Sequence, residues 1–238
     1  MLHARCGQRL RSTGMNTLTR KVIGLRLSVS PSGVHGSLPV GERLAHWSAL
    51  MACAADVDAP EVQALAGVLA TAFASHGTHQ LPLAGLGAAA TRRLLARWFP
   101  GAERVLGLEW QALVQAAARV EPRYDEIEDL VALLTDSASA AAGSRDEALW
   151  LAHAVSQATL ADNHLWQDLH LPSRRELSAL MARWFPQLAE RNQRDMKWKK
   201  FLYKQLCDKA ELSICRAPSC SVCSDYAVCF GPEDAVAA

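Results

Sequence analysis

Four cysteines fall within fifteen residues near the C-terminus: Cys215, Cys220, Cys223 and Cys229, spaced C-x4-C-x2-C-x5-C. Thiols this close bind a metal ion, carry a metal–sulfur cluster or form disulfides. The rest of the chain holds only Cys6, Cys53 and Cys207, so the density is local and reads as a ligand set. A reducing cytosol disfavours disulfides. Two metal chemistries then stand. Four thiolates suit tetrahedral zinc, although zinc layouts usually separate two C-x2-C pairs by roughly a dozen residues or more. The opening C-x4-C-x2-C matches the first three ligands of a plant-type iron–sulfur site. Spacing leaves zinc and iron–sulfur both open. Small residues, Ala217, Ser219, Ser221 and Ala227, let backbone approach the ligands, and Pro218 and Gly231-Pro232 stiffen the loop.

Other donors lie further back. Cys207, eight residues before Cys215, could be a fifth thiolate, though such a cysteine is more often a small buried hydrophobe. His164 sits in ADNHLWQDLHL with Asp162, Asn163 and Asp168, a set that could donate to a metal or simply cap a turn. His153 falls on an apolar helix face and reads as a hydrogen-bonded core residue. His76, His79 and His170 are placed in loops and carry no specific signal. The helix before the cysteines is basic, with Arg191, Arg194, Lys197, Lys199, Lys200, Lys204 and Lys209. It is either a solvated face or a positive flank for an anion, a cluster or an acidic partner. No phosphate-binding glycine loop, H-E-x-x-H or G-x-S-x-G occurs, so no enzyme is expected.

Position and composition narrow the class. Half of the 238 residues are hydrophobic, 21% are charged, and the formal net charge is +1. No apolar run approaches the roughly 18–20 residues of a membrane helix, so no membrane is expected. Residues 1–41 hold six basic residues, Arg5, Arg9, Arg11, Arg20, Lys21 and Arg26, and no acidic one. They read as a flexible, disordered basic leader, with a transit peptide or a start at Met15 as the other readings. The remainder carries 19 basic against 24 acidic residues and is net acidic, which argues against nucleic acid. A cytoplasmic protein is the expectation.

The elements that must position the cysteines are helices. The expected division is a leader over 1–41, a single all-α helical bundle domain over 42–212, a cysteine loop over 213–232 and a tail over 233–238. Helix 42–54 would turn Leu44, Trp47, Leu50 and Met51 inward. The next would be capped by Asp58 with Glu61 closing a box, and striped by Val62, Leu65, Val68, Leu69, Ala72 and Phe73. Helices follow over 88–99, about 107–119 and about 124–135, the last carrying Ile127, Leu130, Val131 and Leu134. Capping boxes Ser144/Glu147 and Ser173/Glu176 open two more. The first of these would run to about 160 with Leu149, Ala152, His153, Ser156 and Leu160 on one face. A last long helix is expected over 187–210, with Trp198, Phe201, Leu202, Gln205 and Leu206 inward. LLARWFP at 94–100 recurs as LMARWFP at 180–186. The match does not extend convincingly either way, so two similar helix ends are expected rather than a duplicated unit.

The motifs HLWQDL, DMKWKKFLYKQLC and the cysteine run ending in CFGPE resemble the NifQ family of nitrogen-fixation proteins, closely over about 145–234. The resemblance implies a molybdenum carrier for nitrogenase iron–molybdenum cofactor biosynthesis. It implies a Mo-Fe-S cluster of the MoFe3S4 type, passed to the NifEN scaffold together with the NifH iron protein, with molybdate or another molybdenum source upstream. Cys215, Cys220, Cys223 and Cys229 would then bind the cluster, with His164, Asp162 and Cys207 as additional candidate ligands. The alternative is a zinc-stapled helical interaction module with no cluster.

Overall fold

A computed structural model describes residues 40–115, 123–210, 223 and 226–233. Most of the expected leader lies outside these residues, as do Cys215, Cys220 and part of the helix expected to 119. The described chain is all helix: α1 Val40–Ala52, α2 Pro60–His76, α3 Ala88–Trp98, α4 Ala102–Val105, α5 Trp110–Gln115, α6 Tyr124–Thr135, α7 Arg145–Thr159, α8 Leu165–Asp168, α9 Arg174–Trp184, α10 Pro186–Arg191, α11 Trp198–Lys209 and α12 Tyr226–Phe230. No strand occurs among the described residues. None of these helices is long and apolar enough to cross a membrane.

Two helices form the centre. Along α2, the expected stripe is buried, but so are Ala64, Ala66 and Ala70 on its other sides. Along α7, Trp150, Leu151, Ala154 and Val155 are buried as well as Ala152, His153 and Ser156. A helix apolar all round is enclosed by neighbours, and one-face readings of α2 and α7 miss that. Small residues on α2 allow close approach. At Gly67 a Cβ would lie 2.4 Å from His170 Cδ2, so only glycine fits there.

The local signals succeed unevenly. Ser144 accepts from the Glu147 amide and Glu147 reaches back to Ser144, the full box. Ser173 accepts from the Glu176 amide, the hydroxyl half of its box. The Asp58 cap fails: Ala59 takes the cap position without a side-chain bond, and Glu61 turns instead to Arg183, 3.2 Å away. On α1, Leu50 is buried, but Leu44 and Trp47 are 58% and 36% exposed. Their stripe has no described neighbour deep enough to cover it.

The expected helix 187–210 is two helices. Asn192 breaks it by clamping Met196, accepting from its amide at 2.9 Å and donating to its carbonyl at 2.8 Å. Asp195 turns the chain at φ 53°. On α11, Trp198, Phe201, Leu202 and Leu206 point inward, while Gln205 is only half-buried. Tyr203 is buried too. It donates to Glu126 at 2.9 Å and accepts from Arg123, tying α11 to α6. Burial raises the Tyr203 pKa first, and Glu126 adds to it.

The echo is a repeated unit, contrary to expectation. Helices α1, α2, α3, α4 and α5 reappear in order as α6, α7, α9, α10 and α11, at offsets near 86 residues. Contacts repeat with them. Arg97 pairs with Glu147 at 2.8 Å, and Arg183 pairs with Glu61, the same two positions exchanged. The Ala55 amide donates to the Trp98 carbonyl, and the Ser139 amide to the Trp184 carbonyl. Phe99 and Phe185 end their helices at φ −135° and −132°. Trp98 and Trp184 meet edge to face, with ring centres 6.4 Å apart, where the halves join. The match was invisible around its motif because a packing plan tolerates exchange of apolar residues.

Candidate metal centre

The cysteine segment returns to the body through α12. Cys223 precedes it by three residues, Cys229 lies within it, and both are half-buried. The Cys223 carbonyl accepts from the Tyr226 amide at 3.2 Å and opens the turn. At the other end the Gly231 amide donates to the Ala227 carbonyl at 2.8 Å; a Cβ on Gly231 would lie 2.4 Å from that oxygen. Tyr226 and Phe230 stack at 4.6 Å along the helix, and the Arg194 guanidinium lies 5.6 Å from the Phe230 ring centre.

Three anchors hold this end. The Lys197 amide donates to the Cys229 carbonyl at 2.8 Å, so the break before α11 meets the last cysteine directly. Phe230 and Cys229 pack on the core. Glu233 is 7% exposed and receives Arg174 Nη1 at 3.0 Å. A buried carboxylate needs such a partner. Arg174 also donates to the Asp195 carboxylate at 2.7 Å and to the carbonyls of Asp195 and Met196. One arginine therefore fixes both the Asn192–Lys197 turn and the chain just past Cys229. Glu233 was assigned to the tail, but it belongs to the folded body.

His164 caps α8. Its amide donates to Gln167 Oε1 at 3.0 Å, so the cap is His164 rather than Asp162 or Asn163. Its Nδ1 is 3.9 Å from Glu233 Oε1, which sets the imidazole beside the anchored end of the cysteine segment. Asn163 binds the Asp168 carboxylate through its amide and carboxamide, at 3.1 and 2.9 Å. Lys199 Nζ reaches the same carboxylate at 2.5 Å and the Ala161 carbonyl at 2.8 Å. Burial lowers the Lys199 pKa, with Asp168 and then Asp162 pulling it back up. Lys199 is thus a half-buried ion-pair partner and no part of a solvated cationic face. The positive groups placed at α12 are Arg194 and Lys197.

The candidate ligands are not all brought together. Cys207 is completely buried on α11. Asp162 is exposed on the connection before α8. Among the described residues no three His, Cys, Asp or Glu side chains converge as a metal site. Cys215 and Cys220 lie outside the described residues. Cys223 and Cys229 are half-buried thiols, a ligand type that thiophilic metals take.

His153 is a core residue, as expected: its Nδ1 is 3.0 Å from the Ala84 carbonyl, and burial lowers its pKa. His170 was passed over. It turns at φ 57°, packs on Gly67 and places Nε2 3.0 Å from Thr71 Oγ1. Its contacts repeat those around Ala84, where Gln157 stands at the position of Thr71 and accepts from the Ala84 amide at 3.1 Å. Arg174 and Glu233 were also missed as a pair. Their only sequence signal was the Glu closing CFGPE and the Arg opening a helix, 59 residues apart.

The NifQ family model matches residues 64–231. Protein NifQ of Azotobacter vinelandii is 47% identical over 114 residues, 48% of this chain and 57% of that protein. Protein NifQ of Rhodobacter capsulatus is 47% identical over 87 residues, covering 37% and 48%. Protein NifQ of Klebsiella pneumoniae is 49% identical over 82 residues, covering 34% and 48%. The matched stretch thus spans about half the length of these relatives. No solved structure matches the chain.

Proposed function

The chain belongs to the NifQ family, and we propose that it is a carrier, not an enzyme, that holds molybdenum in a Mo-Fe-S cluster and supplies it for assembly of the nitrogenase iron–molybdenum cofactor. The cluster is cargo. Cys223 and Cys229, with Cys215 and Cys220, are the thiolates proposed to hold it. NifEN and NifH are the proposed receivers, in the cytoplasm.

One observation carries this reading. The chain at and just past Cys229 is pinned by backbone and by buried charge, while Cys223 and Cys229 are only half-buried. Lys197 holds the Cys229 carbonyl and Arg174 holds Glu233. A carrier needs both features: an anchor so that loading does not require building a site from nothing, and accessible sulfur so that cargo can leave. His164, beside Glu233, is the one of the three additional candidates with a contact to this anchored end among the described residues.

The zinc-staple reading is weaker on the same ground. Staples serve domains too small to build a core. Here a continuous core runs from Leu50 through α2 and α7 to Leu206 with no need of the cysteine segment. The test is Cys223→Ala, made and purified without oxygen. The carrier reading expects loss of bound iron and molybdenum, with helix content and unfolding midpoint unchanged. A staple would instead show global destabilisation.

A further inference from the structure

Beside the anchored end of the cysteine segment stands an imidazole with one nitrogen that the fold leaves unused. His164 is fixed by its backbone, whose amide donates to Gln167 Oε1, and its side chain is 34% exposed. Nδ1 faces Glu233 Oε1 at 3.9 Å, and among the described residues nothing hydrogen-bonds to Nε2. Glu233 is itself immobilised: its side chain is 3% exposed, and Arg174 Nη1 holds Oε1 at 3.0 Å. Arg174 is held in turn by the Asp195 carboxylate and by the carbonyls of Asp195 and Met196. A histidine that binds metal usually turns its other ring nitrogen to a carboxylate, which sets the tautomer and strengthens the donor. With Nδ1 on the Glu233 side, Nε2 is the nitrogen left for a ligand.

Two further observations bear on what that ligand is. The first is reach. Glu233 lies four residues past Cys229, at most about 14 Å along an extended chain. The Gly231 amide folds that stretch back onto the Ala227 carbonyl. The Cys229 carbonyl accepts from the Lys197 amide, and the residue before Lys197 is Met196, whose carbonyl Arg174 grips. A closed ring of contacts therefore ties the carboxylate beside His164 to the backbone of Cys229. The second observation is the repeat. At the offset of 86 that aligns Glu61 with Glu147 and Trp98 with Trp184, His164 and Arg174 correspond to Thr78 and Ala88. The half that lacks the cysteine segment folds on the same plan with a hydroxyl and a methyl there. The plan itself does not call for the imidazole or the guanidinium.

We propose that His164 gives the bound cargo a nitrogen ligand through Nε2, and that Glu233, backed by Arg174, is the positioning residue that aims it. The inference rests on the carrier reading and deepens it. It names a donor that is not sulfur and the buried pair that sets that donor beside Cys229.

The test uses the full chain, loaded and purified without oxygen, with isotopically labelled histidine as the reporter. Electron spin-echo spectroscopy of the paramagnetic cluster reads a histidine nitrogen bound to it. Wild type should show that coupling, and His164→Asn should lose it while iron and sulfide per chain stay as they were. Asparagine is a good helix cap, so α8 should survive the change, and His164→Gln repeats the comparison with a second side chain. Glu233→Gln should keep wild-type circular dichroism, shift the coupling and weaken metal retention against a chelator about 10–100-fold. A cluster-loaded wild type without histidine coupling, or coupling that survives His164→Asn, overturns the proposal and leaves the carrier reading standing. Coupling and retention that do not change in Glu233→Gln overturn the positioning role. A wild type that holds zinc without iron and sulfide overturns the carrier reading, and the proposal with it.

Discussion

Residues 40–115 and 123–210 are built on one plan, with the same helix order, the same Trp-Phe-Pro helix ends and exchanged Arg–Glu pairs. They part company at a few places. Between α4 and α5 the connection runs from Leu106 to Glu109; between α10 and α11 it runs from Asn192 to Lys197, two residues longer. The added length carries Asp195 at its positive φ and brings Lys197 to the Cys229 carbonyl. Where the first half has Ala88, the second has Arg174, the residue that holds both this turn and Glu233. Where the first half has Thr78 and Pro82, the second has His164 and Asp168. Shared positions make the fold, and several divergent ones, Arg174, Asp195, Lys197 and His164, gather beside the cysteine segment. A repeated scaffold can be stabilised by one set of contacts and specialised by another, because the two sets occupy different positions.

That division can be broken first at the junction. Trp98→Ala and Trp184→Ala should each cost about 3–5 kcal/mol, since both rings are buried and face each other. Urea unfolding measures it. A large loss from one and a small loss from the other would end the equivalence of the halves.

Glu233→Ala sharpens the other side. It removes a buried carboxylate and leaves Arg174 with Asp195 and the Met196 carbonyl, a loss of about 1–3 kcal/mol. The effect should be local. Hydrogen exchange should quicken over residues 226–233 and leave α2 and α7 protected. Equal deprotection of α2 would mean that the C-terminal anchor serves the whole fold.

The smallest effect compares Glu61→Gln with Glu147→Gln. Both break an ion pair to a half-exposed arginine, worth about 0–1 kcal/mol. Glu147 also accepts from the Ser144 amide, a bond that a glutamine oxygen keeps, so the two substitutions should cost about the same. Burial raises the Glu147 pKa, but Ser144 and then Arg97 outweigh it and hold the carboxyl below its ordinary value. The stability it lends is therefore full above the ordinary carboxylate range and fades as the pH falls through its own lower pKa. Urea midpoints of wild type and Glu147→Gln should converge on acidification. A gap that widens would contradict the assignment.

Much of the fold was readable because helices announce themselves locally. Residues 124–135 and the Ser144 box rest on spacing and caps within a few residues. What was unreadable is non-local. Arg174 meets Glu233 across 59 positions, and Lys199 meets Asp168 across 31. Nothing in either neighbourhood names its partner, and Lys199 looked like its solvated neighbours until burial separated it. The break at Asn192 was hidden for a related reason: the clamp on Met196 uses a side chain that reads equally well inside a helix. Of the proposed cysteine centre, sequence supplied the candidate ligand types and spacing, while the anchors beside Cys229 came only from packing.

The central claim is that this anchored segment carries molybdenum with iron and sulfide. Its most direct test is elemental analysis of the full chain purified without oxygen from cells supplied with iron, molybdate and zinc. The carrier account expects acid-labile sulfide and iron in about threefold excess over molybdenum, all lost in Cys223→Ala. Stoichiometric zinc, with no iron and no sulfide, would contradict it.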